Sequence, residues 1–354
     1  MVDLEILEDI RVGDQSFLVS IVVPVFNQEE IIVDALTSLI SCMTLEFELI
    51  IIDDASTDSS LAQIVSSVPM MLESDLIRRL RIGRLKTELF ETACDVVGIS
   101  ITKSPYILEV QSDMILKDVG FDKRMIKVLE DFDDLLAVSG RGTESLLPIG
   151  KDYKKSLGSV VARGANIFEF ALRRIGSRIK LKPHTDNSLI DNSRTRHGMS
   201  AEELAFVFPS AEKFQQTGEA GRLGALIGFD IDAADIPRDR IWVGQTVMRG
   251  PLLLSRERYL LSGGLDSSKF FLGFDDHDLM CRALNKGFRS AYLPILFSSP
   301  LSYGSTRKRR TWRTEISILR QLWRIRHSRK QSTLYQFAES VESELPRNEI
   351  RYLD

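Results

Sequence analysis

The chain has 354 residues, 44% of them hydrophobic and 27% charged, with a formal net charge of -4 at pH 7. That composition excludes a disordered or fibrous protein, and the length suits one large α/β domain or a domain with a sizeable appendage. Cys42, Cys94 and Cys281 stand far apart in the sequence, form neither a CxxC metal spacing nor an even disulfide framework, and read as core thiols of a reducing compartment.

The opening MVDLEILEDI is acidic where a signal peptide would be basic. The longest clean apolar run, Phe17 to Phe26 broken by Ser20, falls short of the roughly 20 residues of a spanning helix. A cytoplasmic protein, at most peripheral on the inner face of a membrane, is expected. Leu18 to Phe26 is β-branched and continuously apolar, as a strand buried on both faces of a parallel sheet must be. Asn27 offers an N-cap, and Ile31, Ile32, Ala35, Leu36, Leu39 and Ile40 recur at helical spacing. A second apolar strand, Phe47 to Ile52, runs into Asp53-Asp54, and Ser56-Thr57-Asp58 supplies a turn and a cap for a helix from about Ser59, which completes a βαβ unit.

Arg79 to Ile82 predicts a short strand, Leu89 to Thr102 a helix, and Tyr106 to Val110 a third buried strand ending in Gln111-Ser112-Asp113. Strand and helix alternate, so the fold class is α/β with a mostly parallel, Rossmann-like sheet flanked by helices. Ligands of such sheets bind beyond the carboxyl ends of the strands, which gathers Phe26-Asn27, Asp53-Asp54 and Asp113 around one crevice. From about Gly140 to Arg240 polar and glycine residues dominate, and loops with an insertion are expected there. Order returns at Trp242 to Leu254; Asp278 to Lys286 predicts a helix ended by Gly287, and Ser290 to Leu293 a short strand.

The strand ends carry the chemistry. Asp53 and Asp54 could accept hydrogen bonds from a nucleobase or ribose, or could simply close a turn through Asx-type bonds. Asp113 stands where a divalent cation bridging a diphosphate would find a hard oxygen ligand, although a lone Asp after a strand is also a common turn residue. In Asp275-Asp276-His277-Asp278, three carboxylates within four residues repel one another unless a cation or substrate uses them, and one could serve as a general base; Asp278 could equally cap the following helix.

These motifs together resemble a family 2 glycosyltransferase of the GT-A fold. The resemblance rests on Val19 to Asn27 with Ile51-Ile52-Asp53-Asp54-Ala55-Ser56-Thr57-Asp58, on Tyr106 to Asp113, and on Gly263-Gly264-Leu265-Asp266 with Gly273-Phe274-Asp275-Asp276-His277-Asp278-Leu279. It implies that Pro24, Phe26, Asn27, Asp53, Asp54, Ser112 and Asp113 hold a nucleoside-diphosphate sugar, UDP-linked by the family's habit. It also implies that Asp113 binds Mn2+ or Mg2+, and that Asp276 is the catalytic base, with Asp275 and Asp278 in support. The implied reaction moves the sugar with inversion to a hydroxyl of a saccharide or lipid-linked acceptor. Two positions depart from the family: Gln111 replaces an acidic residue of the Asp-x-Asp type motif, and Asp95 stands where an Asn is usual.

The expected organisation is a GT-A domain over 1–300, with its donor half at 17–120 and its acceptor half at 121–300, followed by a helical extension at 301–354. Ten Arg and Lys against one Glu lie between Arg307 and Lys330. Their interleaving with Trp312, Leu319, Leu322 and Trp323 predicts an amphipathic helix able to lie on anionic lipid, or to pack on the domain with a solvated basic face. No nucleic-acid motif accompanies the charge. Two other functions fit a nucleotide-binding sheet. A sugar nucleotidyltransferase would carry a Gly-rich basic loop after the first strand, which Pro24 to Glu30 lacks; a non-catalytic nucleotide-sugar-binding module would tolerate Gln111-Ser112-Asp113.

Overall fold

The computed structural model describes residues 3–13, 16–140, 143–144, 195–197, 226–229, 238–247, 249–268, 270, 275–298 and 348–353. The first half of the chain forms β1 (Leu4–Arg11), β2 (Val19–Val25), α1 (Ile32–Cys42), β3 (Phe47–Asp53), α2 (Ser60–Ser66), α3 (Val68–Met71) and β4 (Ile77–Leu85). It continues through α4 (Glu91–Ser100), β5 (Tyr106–Glu109), β6 (Ile115–Leu116), α5 (Phe121–Asp131) and β7 (Leu135–Ser139). Short strands β8 (Thr143–Glu144), β9 (Thr195–His197) and β10 (Leu226–Phe229) are the described parts of the expected insertion. The chain then forms β11 (Arg240–Gly244), β12 (Thr246–Val247), β13 (Leu252–Ser255), α6 (Arg256–Leu261), α7 (Asp275–Leu284), β14 (Arg289–Tyr292), β15 (Phe297–Ser298) and β16 (Asn348–Tyr352).

Ten strands share one sheet in the order β1-β4-β3-β2-β5-β13-β7-β14-β11-β16. Strands β4, β3, β2 and β5 are mutually parallel, and β3 is buried at every position while β2 is buried at all but Pro24. Their continuous apolar runs follow from that, because helices cover both faces. On one face α1 buries Ile32, Leu36 and Leu39; on the other, α4 lies close to the strands through Gly98. All four carboxyl ends therefore lie on one edge of the sheet.

The parallel block is extended by antiparallel additions. Strand β13 enters between β5 and β7 with Leu252 opposite both Glu109 and Ser139, so the start of β13 meets the ends of β5 and β7 on the crevice edge. Strand β1 pairs antiparallel with the outer side of β4. Its half-polar sequence, LEILEDIR, follows from an edge position and carries no buried-strand signal. The described end of the expected helical extension is a strand: β16 pairs antiparallel with β11, and Arg351 binds Asp134 at 2.5 and 2.6 Å. Its polar alternation, NEIRY, is that of a sheet edge. Residues 307–330, where the basic amphipathic helix is expected, lie outside the described residues, as does most of 140–240.

The expected cap at Asn27 is corrected. Helix α1 begins at Ile32 without a side-chain cap, and Asn27 instead adopts a left-handed backbone at φ 51°. Its side chain turns to the neighbouring loop, where Oδ1 accepts from the Thr57 amide at 2.8 Å. Asp58 does act at the start of α2, accepting from the Ser60 amide at 2.9 Å. All three cysteines are buried thiols outside any disulfide.

A Cβ at Gly98 would overlap Val22 Cγ1 and stand 3.4 Å from Ile52 Cγ1. Alanine at a helix interior gains about 1 kcal/mol of propensity, whereas overpacking against a buried β-branched residue costs about 1 to 3 kcal/mol. Gly98→Ala should therefore lower unfolding free energy by roughly 1 kcal/mol, read as a reduced urea midpoint; an increase would show that α4 can move off the sheet.

Candidate functional site

Two loops at the carboxyl ends of β2 and β3 are laced together. The Asn27 amide donates to Ser56 Oγ at 3.0 Å and the Gln28 amide to Ser60 Oγ at 2.7 Å. Asp53 is fully buried; its carboxylate accepts from the Ser56 amide at 3.2 and 3.3 Å and lies 3.6 Å from the Arg84 guanidinium. Burial raises its pKa against the lowering effect of the Ser56 bonds and Arg84. Asp54, also buried, accepts from the Leu89 amide at 2.6 Å and the Phe90 amide at 2.9 Å. It thereby holds the segment that enters α4. Asp53 thus closes the turn through the Ser56 amide, whereas Asp54 reaches 35 and 36 positions along the chain to the segment before α4.

The non-glycine residues with left-handed backbone among those described are Asn27, Ala55 and Phe90, at φ 51°, 56° and 72°. Each sits at this edge of the sheet. Such conformations cost of the order of 1 kcal/mol or more each and persist where the surroundings over-determine them. Asp54 does so for Phe90 by binding its amide.

Beneath the crevice lies a buried ionic cluster. Arg249, in the segment before β13, directs Nη1 to Asp95 Oδ2 at 2.6 Å, Glu109 Oε1 at 3.0 Å and Glu91 Oε1 at 3.4 Å, and Nη2 to Asp275. Arg249, Asp95, Glu109 and Asp275 are all buried. One guanidinium cannot neutralise four carboxylates, so the group titrates as a set. Burial pushes Asp95 up to about 7 and Asp275 up to about 6, with Arg249 opposing. Burial likewise holds Glu109 well above the ordinary range. Burial alone would lower Arg249, but its carboxylates hold it well above its usual value. The charge that Asp95 adds at a position usually Asn is met by this arginine.

The carboxylates at the start of α7 have different surroundings. Asp275 is fully buried and paired with Arg249. Asp278 binds Arg282 Nε at 3.0 Å, one turn on, and Arg282 also donates to the carbonyls of Ser262 and Gly264. Asp276 lies between these two anchored residues, and among the described residues it forms no ion pair; its Oδ1 accepts from the His277 amide at 2.8 Å. His277 Nδ1 lies 2.9 Å from Thr246 Oγ1. The helix N-terminus itself favours a carboxylate.

The turn after β5 contains a buried Ser112 and a half-buried Asp113. Gln111, the departure from the acidic motif, donates to Glu91 Oε1 at 3.1 Å. Among the described residues no group of three His, Cys, Asp or Glu could hold a metal.

Residue-by-residue reading missed Arg249, Glu91 and Glu109 and saw Asp95 only as a departure. A signal existed in Glu109, a carboxylate between Leu108 and Val110 in a buried strand, which demands a cation. That cation lies 140 positions later in the chain, beyond any local pattern.

The raised carboxyl groups have a consequence for stability. A group whose folded pKa exceeds its unfolded value, about 3.9 for Asp, contributes stability that is complete below that value. The contribution is lost as pH rises through about 6 for Asp275 and about 7 for Asp95. Asp95→Asn, which keeps the shape and removes one buried charge, should flatten the decline in unfolding free energy from about pH 5 to about pH 7.5. Denaturant titrations across that window measure it; an unchanged slope would show that Asp95 stays ionised throughout.

Comparison with known proteins meets this geometry at the N-terminal sheet. Residues 20–155 match Glycosyl transferase family 2. A curated relative, Glycosyltransferase GlyG of Streptococcus pneumoniae serotype 4, is 30% identical over 103 residues, which is 29% of this chain and 32% of the relative. The match thus spans about a third of that relative's length. Among solved structures, S. aureus TarS aligns with TM-score 0.43 at 12% identity over 92% of this chain and 44% of its own. Mannosyltransferase PcManGT from Pyrobaculum calidifontis, in complex with GDP-Man and Mn2+, aligns with TM-score 0.46 at 13% identity over 96% and 79%. Residues 20–155, which hold the loops at the ends of β2, β3 and β5, are thus similar to glycosyl transferase family 2.

Proposed function

We propose that this chain transfers a sugar from a nucleoside-diphosphate donor, UDP-linked, to a hydroxyl of a saccharide or lipid-linked acceptor with inversion at the anomeric carbon. The observation that carries the reading is the contrast within one helical turn. Asp275 and Asp278 are each bound by an arginine, whereas Asp276 between them has no ion pair among the described residues and is the carboxylate of that turn left to act on a substrate.

In this reading Pro24, Phe26, Asn27 and the 53–57 loop receive the nucleoside, and Ser112 and Asp113 face the diphosphate. Reorganisation of the Leu89-Phe90 segment would release Asp54 for the base. Asp276 accepts the proton of the acceptor hydroxyl, whose oxygen forms the new bond to the anomeric carbon while the bond to the diphosphate oxygen breaks on the opposite face. Asp113, together with donor phosphate oxygens, would hold a Mn2+ or Mg2+ ion, which supplies charge neutralisation for the departing diphosphate. The basic segment 307–330 would bring the site to an anionic membrane surface carrying a lipid-linked acceptor. Among the described residues no helix is long and apolar enough to cross a membrane.

Nucleoside diphosphate release from a panel of UDP- and GDP-sugars tests this directly. Asp276→Asn should lower kcat by at least about a hundredfold with donor affinity within a few-fold of the parent. Near-normal turnover in that variant would remove the assignment of the base. Asp113→Ala should weaken donor binding and abolish any enhancement of it by Mn2+; unchanged metal-dependent affinity would place the diphosphate elsewhere.

A further inference from the structure

The segment from Thr246 to Arg249 grips helix α7 at several points. Thr246 Oγ lies 2.9 Å from His277 Nδ1 and 3.0 Å from Met280 Sδ, the Val247 amide lies 3.2 Å from the same sulfur, and Arg249 Nη2 binds Asp275. The other nitrogen of the guanidinium fork reaches Asp95 and Glu91 on α4 and Glu109 at the end of β5. Glu91 accepts from Gln111, the first residue of the turn that carries Asp113. A continuous polar path thus runs from the donor-side turn through Glu91 and Arg249 to Asp275, the neighbour of Asp276.

We infer that Arg249 is a positioning residue that fixes the first turn of α7, and with it Asp276, relative to the donor-side turn at Gln111 to Asp113. This rests on the glycosyl-transfer reading for its kinetic consequence, though the mechanical link stands on the contacts alone. A planar guanidinium with a fixed fork suits such a junction, because it binds partners on separate elements at set angles as a lysine ammonium does not. Stability is a weak explanation for the cluster, since buried ion networks are frequently replaced by apolar residues at no cost. Geometry is the stronger one: a displacement of about 1 Å at a reacting group can cost about a hundredfold in rate.

The test compares Arg249→Met, Arg249→Lys and a charge-lightened set. That set consists of Asp95→Asn/Glu109→Gln, which keeps the Arg249–Asp275 pair, and the same double variant with Arg249→Met added. Removing two carboxylates relieves the buried charge that would otherwise unfold the methionine variant. Turnover is read as UDP release from UDP-glucose, UDP-galactose and UDP-N-acetylglucosamine, affinity by calorimetric titration with UDP, and order in α7 by amide hydrogen exchange over residues 275–284. Relative to the double-variant parent, the triple variant should lose about thirtyfold or more in kcat with UDP affinity within about threefold, and its α7 amides should exchange faster than those of β2 and β3. Arg249→Lys should fall between. Parental kcat in the triple variant, or a kcat loss matched by an equal loss of UDP affinity, would overturn the inference. If the unmodified chain releases UDP from none of the donors, the glycosyl-transfer reading has failed separately; exchange then decides, with faster exchange at 275–284 supporting the link and unchanged exchange overturning it.

Discussion

A single buried arginine is the point on which the two halves of the sheet depend. Arg249 lies among Glu91, Asp95, Glu109 and Asp275, residues drawn from a helix of the parallel block, from the strand beside it and from the helix near the end of the described chain. Taking this many charges out of water is costly, and attraction to one cation recovers the cost only in part, so protons must share the cluster. The result is a junction with little tolerance for displacement, placed under the crevice.

What the junction joins follows from sheet topology. Parallel strands β2, β3 and β5 deliver their loops to one edge, and β13, running the opposite way, begins at that same edge, so Arg249 arrives beside Glu109 without any long excursion. The loops after β2 and β3 are fixed to one another by hydroxyl and amide bonds between residues 27–28 and 56–60. A second buried polar group, Ser20, Glu48 and Arg81, lies nearer the opposite ends of the strands, with Glu48 accepting from Ser20 at 2.7 Å and pairing with Arg81 at 2.5 Å. The segment between α4 and β5 meets it, with Ser104 Oγ donating to Ser20 Oγ at 2.8 Å and Arg81 donating to the Ile101 carbonyl at 2.9 Å, which fits a role in holding β2, β3, β4 and β5 in register.

Much of the N-terminal architecture was legible because burial on both faces writes itself as predominantly apolar, β-branched sequence, interrupted in β2 and β3 by Ser20 and Glu48. Phe47 to Asp53 needs nothing beyond its own composition to be read as a central strand. Strand β1 was invisible for the converse reason: with one face toward solvent and a partner 70 residues away, its pattern is no different from that of an acidic coil. The antiparallel place of β13 was likewise set by its neighbours and not by its sequence. At the site, the three acidic positions at the start of α7 stood out as a cluster, but their division of labour did not, since it depends on which of them an arginine reaches. Asp54 shows the same limit, because its partners, Leu89 and Phe90, offer only backbone amides that no sequence pattern marks.

The central claim, that the crevice at the ends of β2, β3 and β5 receives a nucleoside-diphosphate sugar, is tested most directly by ligand-dependent thermal stability. A ligand that binds only the folded chain at a hundred times its dissociation constant adds about 2.7 kcal/mol, which amounts to several degrees in Tm for a chain of this size. The account predicts such a rise with UDP or a UDP-sugar in the presence of Mn2+, and a smaller one with ADP. No rise with any uridine or guanosine diphosphate sugar, or an equal rise with ADP, would contradict it.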